Sequence, residues 1–330
     1  MDVLVGQYLN GLQFGKLQEF NSMAVFPVFV KTESKLNYMT LNEAIREDLL
    51  EIKELDAAGA VPELVVTNNA DIAVLILDGE ELVGAKQNRV VNTSILLKEN
   101  SKTIIPVSCV EQVRWSYNSD KFLDSDRIAS YNIRNIKSAS VKKSVERSGS
   151  FKSDQGAVWD EVHKLQDNMN VHSPTSAMSD VYDAKVDDLE KYIEAFEYVE
   201  GQNGLLILVN RKIIGFDVVS SSSAYKNIHK KLIKSYAIDS MIQNQETTSK
   251  ASIRPEYAEA FISNILGSNE TKNRSVGYGF DYRFATDSYI GSSLVYQDEV
   301  IHSSFFKSLE FNDEDIGNMA RYRTRANMRQ

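Results

Sequence analysis

The sequence predicts an α+β fold, with a β-rich amino-terminal half followed by a helix-rich half that contains two β-hairpins. In the first half, short apolar runs rich in β-branched residues are separated by turn residues. Connections this short suit antiparallel strands, because a parallel crossover needs a longer segment. From about residue 126 onward, apolar residues recur mainly at helical spacing.

The predicted strands of the first half form an antiparallel sheet or sandwich. They cover residues 24–30, 61–67, 72–77, 90–97 and 103–110. One helix is expected among them, over residues 41–54. Thr40 and Glu43 have the spacing of a capping box there, and apolar residues follow at helical spacing.

The second half is predicted to be mostly helical. Helices are expected over residues 158–169, 178–196 and 225–241, and between Pro255 and Gly267. The two hairpins each consist of a strand, a polar turn and a second strand, and they cover residues 205–219 and 292–306.

These changes in pattern predict the domain organisation. Residues 1–125 form the β-rich half, and residues 126–310 form an α+β half that packs on it as one integrated domain. Residues 311–330 are polar and rich in arginine. We interpret them as a flexible tail or a partner-contacting arm.

Composition restricts the classes of function. The 330 residues are 42% hydrophobic and carry a formal net charge of −9, which argues against a general nucleic-acid binder because such a protein needs a basic field. No apolar run approaches the roughly 20 residues that cross a bilayer. The first residues lack the pattern of a signal peptide, so we expect a cytoplasmic protein without a membrane partner.

Few residues could serve metal or thiol chemistry. Cys109 is the only cysteine and the four histidines are far apart, so zinc is not expected, whereas Mg²⁺ stays open because it needs only one or two carboxylates. The identity of any cofactor is not determined. Cys109 ends an apolar strand with no neighbouring base, which predicts a structural thiol rather than a nucleophile.

The polar block from residue 78 to residue 94 is the strongest candidate for a functional surface. Asp78 and Gly79 are typical of a hairpin turn. The two carboxylates that follow, Glu80 and Glu81, are candidate catalytic residues, since paired carboxylates can hold Mg²⁺ or ribose hydroxyls or act as a general base.

Two cations and two amides come next in the same block, as Lys86, Gln87, Asn88 and Arg89. Strand alternation would direct Lys86 and Asn88 to one face and Gln87 and Arg89 to the other. Such groups bind phosphates, riboses and base edges. The alternative interpretation is an exposed edge strand that is protected by its charges.

A second polar segment follows Cys109. Glu111 is a further candidate catalytic carboxylate, and Gln112 and Arg114 are candidate ligand-binding residues. Trp115 can stack on a base or fill the core.

A third polar segment opens a helix. Asp154 and Gln155 start it and Trp159 lies in its second turn. N-capping is sufficient to explain Ser153 and Asp154, but a helix N-terminus can also bind phosphate. The basic stretch at residues 127–152 could add phosphate contacts, although we interpret most of its charges as a solvated helix face.

These segments together resemble one known family. The resemblance is carried by LDGEELVGAKQNR at residues 77–89, PVSCVEQ at 106–112 and SDQGAVWD at 153–160, and it extends from about residue 26 to residue 302. The family is the one named for its association with ADP-ribosylglycohydrolases and rhodanese-type phosphatases. The resemblance implies a role in NAD or ADP-ribose metabolism, or in defence signalling with such nucleotides.

Three functions follow as hypotheses. The protein binds, and in the first hypothesis hydrolyses, an ADP-ribose-like nucleotide, using Lys86 and Arg89 for phosphates and Trp115 or Trp159 for stacking. In the second it is a non-catalytic sensor or sequestering module for the same nucleotides. In the third it is a scaffold of a defence or metabolic complex, as a homo-oligomer or with an operon-encoded partner.

Overall fold

The computed structural model describes residues 1–55, 62–242 and 253–308. Within this part of the chain the strands form a closed barrel, a nine-stranded sheet and a three-stranded sheet, with helices packed around them. The α+β class and the β-rich amino-terminal region are thus confirmed. The tail at residues 311–330 lies outside the described residues.

The elements are numbered in chain order. The helices are α1 Val3–Asn10, α2 Leu41–Arg46, α3 Tyr131–Ser148, α4 Gln155–Met169, α5 Ser179–Ala184, α6 Val186–Ala195, α7 Ser222–Ile242 and α8 Glu256–Leu266. The strands are β1 Gln13–Phe14, β2 Gln18–Phe20, β3 Met23–Phe29, β4 Tyr38–Thr40, β5 Leu50–Glu54, β6 Glu63–Asn68, β7 Ala73–Ile76, β8 Glu80–Gly84, β9 Arg89–Val91, β10 Ile95–Leu97, β11 Ser101–Cys109, β12 Phe122–Ile128, β13 Gly204–Val209, β14 Lys212–Val219, β15 Asn269–Arg274, β16 Phe280–Ala285, β17 Tyr289–Tyr296 and β18 Glu299–Lys307.

The barrel contains strands from residues 50–128 in the order β11-β6-β5-β12-β8-β9. Its strand pairs are all antiparallel, as the short connections predicted. Buried apolar side chains such as Ile52, Leu82, Val91 and Phe122 fill it, as is usual for a barrel of few strands. Closure into a barrel was not predicted.

The nine-stranded sheet draws strands from both ends of the chain. Its order is β1-β3-β13-β14-β18-β17-β16-β15, with β2 also paired to β3. Both predicted hairpins are confirmed, as β13 with β14 and β17 with β18. The division of the chain near residue 125 stays a prediction.

The helix expected over residues 41–54 is wrong beyond Arg46. The Thr40 N–H donates to the Glu43 carboxylate at 2.8 Å, as the capping-box spacing implied. Asp48 then adopts a positive φ of 55°, which ends helical geometry. Leu50 and Ile52 follow as buried, alternate residues of β5. Their spacing is therefore that of a strand.

The turn at Asp78-Gly79 joins two β-units rather than closing a hairpin. β7 lies in the three-stranded sheet and β8 lies in the barrel. The positive φ that this turn was expected to need occurs at Gly79, at 85°.

Helix α3 corrects the interpretation of the basic stretch at two positions. Arg134 and Lys137 are fully buried, because they bond to Asp217 and to the Val91 carbonyl oxygen, whereas Lys143, Arg147 and Lys152 are exposed as expected. The helix expected over residues 178–196 breaks at Lys185 into α5 and α6. The other predicted helices are confirmed as α4, α7 and α8. Among the described residues, no helix has the length and apolar character needed to span a membrane.

Candidate functional site

Arg89 and Cys109 lie at one end of the barrel interior. Arg89 pairs with Leu82 on β8 and with Cys109 on β11. Directly opposed residues of a β-ladder project to the same face, and Leu82 belongs to the barrel core. Glu54 pairs with the core residue Leu64, so its side chain projects into the same interior.

The charged groups at this barrel end have incomplete hydrogen bonding. The Arg89 NH1 group donates to Gln87 Oε1 and to Cys109 Sγ, each at 2.9 Å. The Arg89 Nε and NH2 groups and both oxygens of Glu54 have no hydrogen-bond partner among the described residues. The nearest NH2–Oε1 separation of this ion pair is 3.7 Å. Buried polar groups with unmet capacity cost free energy unless another molecule satisfies them.

Aromatic side chains cover the same barrel end. The Lys86 ammonium lies 5.2 Å from the ring centroids of both Trp115 and Tyr117, and the Arg89 guanidinium lies 5.9 Å from that of Trp115. Trp115 is 47% exposed and Tyr117 is 52% exposed, whereas Lys86 is buried. Two cations therefore lie beneath aromatic surfaces that remain open to solvent. We call Glu54, Lys86, Gln87, Arg89, Trp115 and Tyr117 the barrel-end cluster.

Glu111 and Arg114 form a clamp that holds this region together. Arg114 donates to both oxygens of Glu111 at 2.6 and 2.8 Å, and to Asn88 Oδ1 at 3.1 Å. It also donates to the carbonyl oxygens of Gly84 and Ala85. Its donors are used within the protein, so Arg114 acts here by positioning the loop that carries Lys86 and Gln87.

The strand alternation expected for residues 86–89 does not hold throughout, because residues 85–88 lie outside β8 and β9 and Lys86 lies with Arg89 beneath Trp115 rather than with Asn88. Gln87 contacts Arg89, and it also donates to the Gln112 carbonyl oxygen at 3.1 Å. Asn88 instead projects outward, where it contacts Ser179 and Arg114. The four side chains are buried, so the alternative of an exposed edge strand is wrong.

The three candidate catalytic carboxylates have different environments. Glu111 is used by the clamp. Glu80 accepts from the Lys231 ammonium at 2.9 Å and from the Leu77 N–H at 2.8 Å. Burial alone would lower the pKa of Lys231, but the Glu80 and Asp124 carboxylates outweigh it and raise that pKa. Glu80 thus belongs to a buried ion group away from the barrel-end cluster.

Unlike Glu80 and Glu111, Glu81 forms no hydrogen bond of standard geometry with a described residue, although the Ser125 hydroxyl lies close enough to favour its ionised form. Burial raises its pKa to about 7, against the opposing effect of Arg127, whose NH1 group lies 3.8 Å away. Glu81 pairs with Val90. Its side chain therefore projects from the opposite face of the barrel wall to that of Arg89.

The helix-opening segment docks on the barrel through Gln155. Its side-chain amide bonds both the N–H and the carbonyl oxygen of Cys109, at 2.7 and 2.8 Å. Asp154 accepts from the Ala157 N–H as the N-cap of α4. Trp159 is half-buried and its indole N–H has no hydrogen-bond partner among the described residues. This segment thus lies beside β11 at Cys109.

Cys109 is buried, and burial raises its pKa to about 11 although Arg89 opposes the shift. A thiol in this environment stays protonated at neutral pH, which supports the prediction of a structural role. The described residues contain no group of three or more His, Cys, Asp or Glu side chains arranged to hold a metal ion.

Sequence patterns missed a polar network in the protein core. Ser94 Oγ lies 2.8 Å from His302 Nδ1, and His302 Nε2 lies 3.3 Å from Asp217 Oδ1. This has the outline of a Ser-His-Asp triad, but Ser94 is 4% exposed and its oxygen accepts from the Asp78 N–H. Asp217 is in addition bound by Arg134 and Tyr236. A nucleophile must reach its substrate, so we interpret the network as structural.

The candidate site residues lie outside two cavities on the protein surface. Two cavities of about 510 and 440 Å³ are lined by residues of α1, β15–β18 and neighbouring loops. None of the candidate site residues from the sequence lines either cavity. The barrel-end cluster instead presents the exposed aromatic rings of Trp115 and Tyr117.

Comparison with protein-family models gives a match over residues 11–306, to the ARG and Rhodanese-Phosphatase-superfamily-associated Protein domain. The chain belongs to this family. The resemblance that the sequence motifs suggested is therefore confirmed, and the family match includes the barrel and almost all of the large sheet. Comparisons with curated proteins and with solved structures gave no match. The family name places the chain in the context of ADP-ribosylglycohydrolase genes.

Proposed function

We propose that the barrel-end cluster binds an ADP-ribose-like nucleotide. The observation that carries this proposal is the buried Arg89, whose Nε and NH2 groups have no hydrogen-bond partner among the described residues, beneath the half-exposed ring of Trp115. A phosphate is a suitable acceptor for these donors, because guanidinium and phosphate form charge-assisted bonds.

The remaining members of the cluster suit the other parts of such a ligand. The Lys86 ammonium adds a second positive charge, and Trp115 and Tyr117 present aromatic faces on which a base can stack. The Glu54 carboxylate can accept from ribose hydroxyls. The family's association with ADP-ribosylglycohydrolase genes supports the same ligand class.

Binding is better supported than hydrolysis. Glu80 and Glu111 are held by Lys231 and Arg114, which leaves little capacity for a general base. Glu81 has a pKa near neutrality, as a general base requires, but its side chain projects from the other face of the barrel wall. We therefore favour a non-catalytic sensor or sequestering module.

A scaffold function is the second candidate, and it is supported by a cluster of exposed apolar side chains. Val113, Trp115 and Tyr117 are all more than 45% exposed within five consecutive residues. Aromatic residues that protrude in this way are also typical of protein interfaces.

Fluorescence titration can test the binding proposal, because the chain has two tryptophans and Trp159→Phe would leave Trp115 as the reporter. ADP-ribose, NAD and nicotinamide mononucleotide form the ligand panel. We expect quenching by ADP-ribose. Trp115→Ala, followed by calorimetry, should weaken binding roughly tenfold or more, since base stacking contributes about 1–3 kcal/mol.

Tyr257→Ala is the matched control, as it removes a 41% exposed aromatic ring on α8. Unchanged binding in this variant is expected. If no nucleotide of the panel binds while a partner protein loses affinity for Trp115→Ala, the scaffold function replaces the proposal.

A further inference from the structure

A groove of about 510 Å³ lies at the free edge of the nine-stranded sheet, away from the barrel-end cluster. Its cationic lining residues are Lys98, Lys272 and Arg274, and its aromatic lining residues include Tyr278, Phe280 and Tyr296. We call this the sheet-edge groove. Its volume is within the range of small-molecule sites, about 300–1,000 Å³.

The three cations of the groove are held by aromatic rings. The Lys98 ammonium lies 5.3 Å from the Tyr278 centroid, and the Lys272 ammonium lies 4.4 Å from that of Phe280. The Arg274 guanidinium lies 5.7 Å from the Phe280 centroid. Within the described parts of the chain, none of the three forms a salt bridge with a carboxylate. Lys272 also bonds to Tyr282 and lies near Asp2 and Glu270, which raise its pKa, so it stays cationic at neutral pH.

One wall of the groove is a preformed aromatic surface. Tyr278 and Tyr296 are stacked, with centroids 4.4 Å apart and an interplanar angle of 20°. The turn that carries Tyr278 is fixed by its N–H, which donates to the Leu96 carbonyl oxygen at 2.8 Å. At Gly279, with a φ of 81°, a side chain would meet the Val295 carbonyl oxygen. Only glycine therefore allows this close approach of the turn to β17.

Protection of a sheet edge explains part of this arrangement. Charged residues on an edge strand prevent pairing with other chains, and Lys272 and Arg274 lie on β15 at that edge. Edge protection does not account for Lys98, which follows β10, or for the stacked tyrosines. Asp2 and Asp298 also line the groove. Asp2 accepts from the hydroxyl of Tyr282, whose ring centroid lies 5.1 Å from the Lys272 ammonium, so part of the positive charge is balanced there.

We infer that the sheet-edge groove is a second ligand site, and that it binds a nucleoside phosphate. The planar base would pack on the Tyr278–Tyr296 wall, since every base has a face that stacks on aromatic rings. The phosphate would pair with Lys272 and Arg274. This site is separate from the barrel-end cluster and does not depend on the function proposed there.

Calorimetric titration with AMP, adenosine and inorganic phosphate tests the inference. The Trp115→Ala protein is the starting point, so that binding at the barrel end is impaired. We expect AMP to bind at least about tenfold more tightly than either adenosine or phosphate, because the groove offers both stacking and charge. Adding Lys272→Gln and Arg274→Gln should weaken AMP binding by about tenfold or more. Both residues are exposed, so folding should be unaffected.

Lys226→Gln is the matched control, because Lys226 also lies over an aromatic ring, at 5.3 Å from the Tyr198 centroid, but on another surface. AMP affinity should not change in this variant. Equal affinities for AMP and inorganic phosphate would overturn the inference, and so would unchanged AMP binding in the Lys272→Gln, Arg274→Gln protein. Loss of AMP binding caused by Trp115→Ala alone would assign the nucleotide to the barrel end instead.

Discussion

Arg134 and Arg89 are both fully buried, yet their surroundings differ. Arg134 donates to both oxygens of Asp217, at 2.6 and 2.9 Å, and also contacts Asp78. Burial alone would raise the pKa of Asp217, but Arg134 and His302 outweigh it and hold that pKa at about 2. Arg89 uses only its NH1 group for hydrogen bonds to described residues.

This difference separates a structural ion pair from a candidate ligand site. The Arg134–Asp217 pair joins α3 to β14 with good geometry, which offsets the cost of removing both charges from water. The Arg89–Glu54 pair is longer, at 3.7 Å, and lies beneath exposed aromatic rings. Arg89 thus keeps unused donors in a buried ion pair of poorer geometry, and this is the basis of the binding proposal.

The largest effect is expected from Arg134→Met. The substitution leaves Asp217 buried without its cation, and breaking a buried ion pair in this way costs about 3–5 kcal/mol. Arg89→Met should cost less than about 2 kcal/mol, because the lost interactions are fewer. Urea unfolding of both variants measures the two losses of stability. An equal or larger loss for Arg89→Met would show that Arg89 is as important for the fold as Arg134.

Glu81→Gln should change the pH dependence of stability. The pKa of Glu81 is raised from 4.5 to about 7 in the folded protein, so stability present at low pH is lost as the pH rises from about 4.5 to 7. Glutamine cannot ionise. At pH 8 the variant should be more stable than the wild type by about 1–3 kcal/mol, and near pH 4.5 the two should be similar.

Guanidinium unfolding at the two pH values checks this expectation. Glu190→Gln on α6 is the surface control, because Glu190 is exposed. A stability difference between Glu81→Gln and wild type that is the same at both pH values would contradict the assigned cause.

Cys109→Ser should have a smaller effect. The hydroxyl can still accept from Arg89, but burying it in place of the thiol should cost about 1 kcal/mol. Nucleotide binding, measured by calorimetry, should stay within about twofold of wild type. Complete loss of binding in a folded variant would show that the thiol has a functional role.

The smallest effect on stability is expected for Trp115→Ala, at less than about 0.5 kcal/mol, because the ring is about half exposed. The same variant is expected to lose most nucleotide binding. A large loss of stability in thermal unfolding would instead make Trp115 part of the structural core.

Local patterns were sufficient to predict much of the secondary structure. Short apolar runs predicted β3 and both hairpins, because strands that are buried on both faces are apolar along most of their length. The helical spacing of Leu49 and Ile52 was misleading at residues 47–54, because Asp48 ends the helix and Leu50 and Ile52 are the buried, alternate residues of β5.

The polar blocks could be located from the sequence, but the role of each member could not. The sequence by itself determined that cations, amides and carboxylates are concentrated at residues 78–94 and 108–115. Only the tertiary structure decided that Glu80 is held by Lys231, from 151 residues away, while Arg89 keeps unused donors. A hydrogen-bond partner contributed by a distant segment leaves no local pattern. Whether a polar residue stabilises the fold or faces a ligand therefore depends on how the chain brings those segments together.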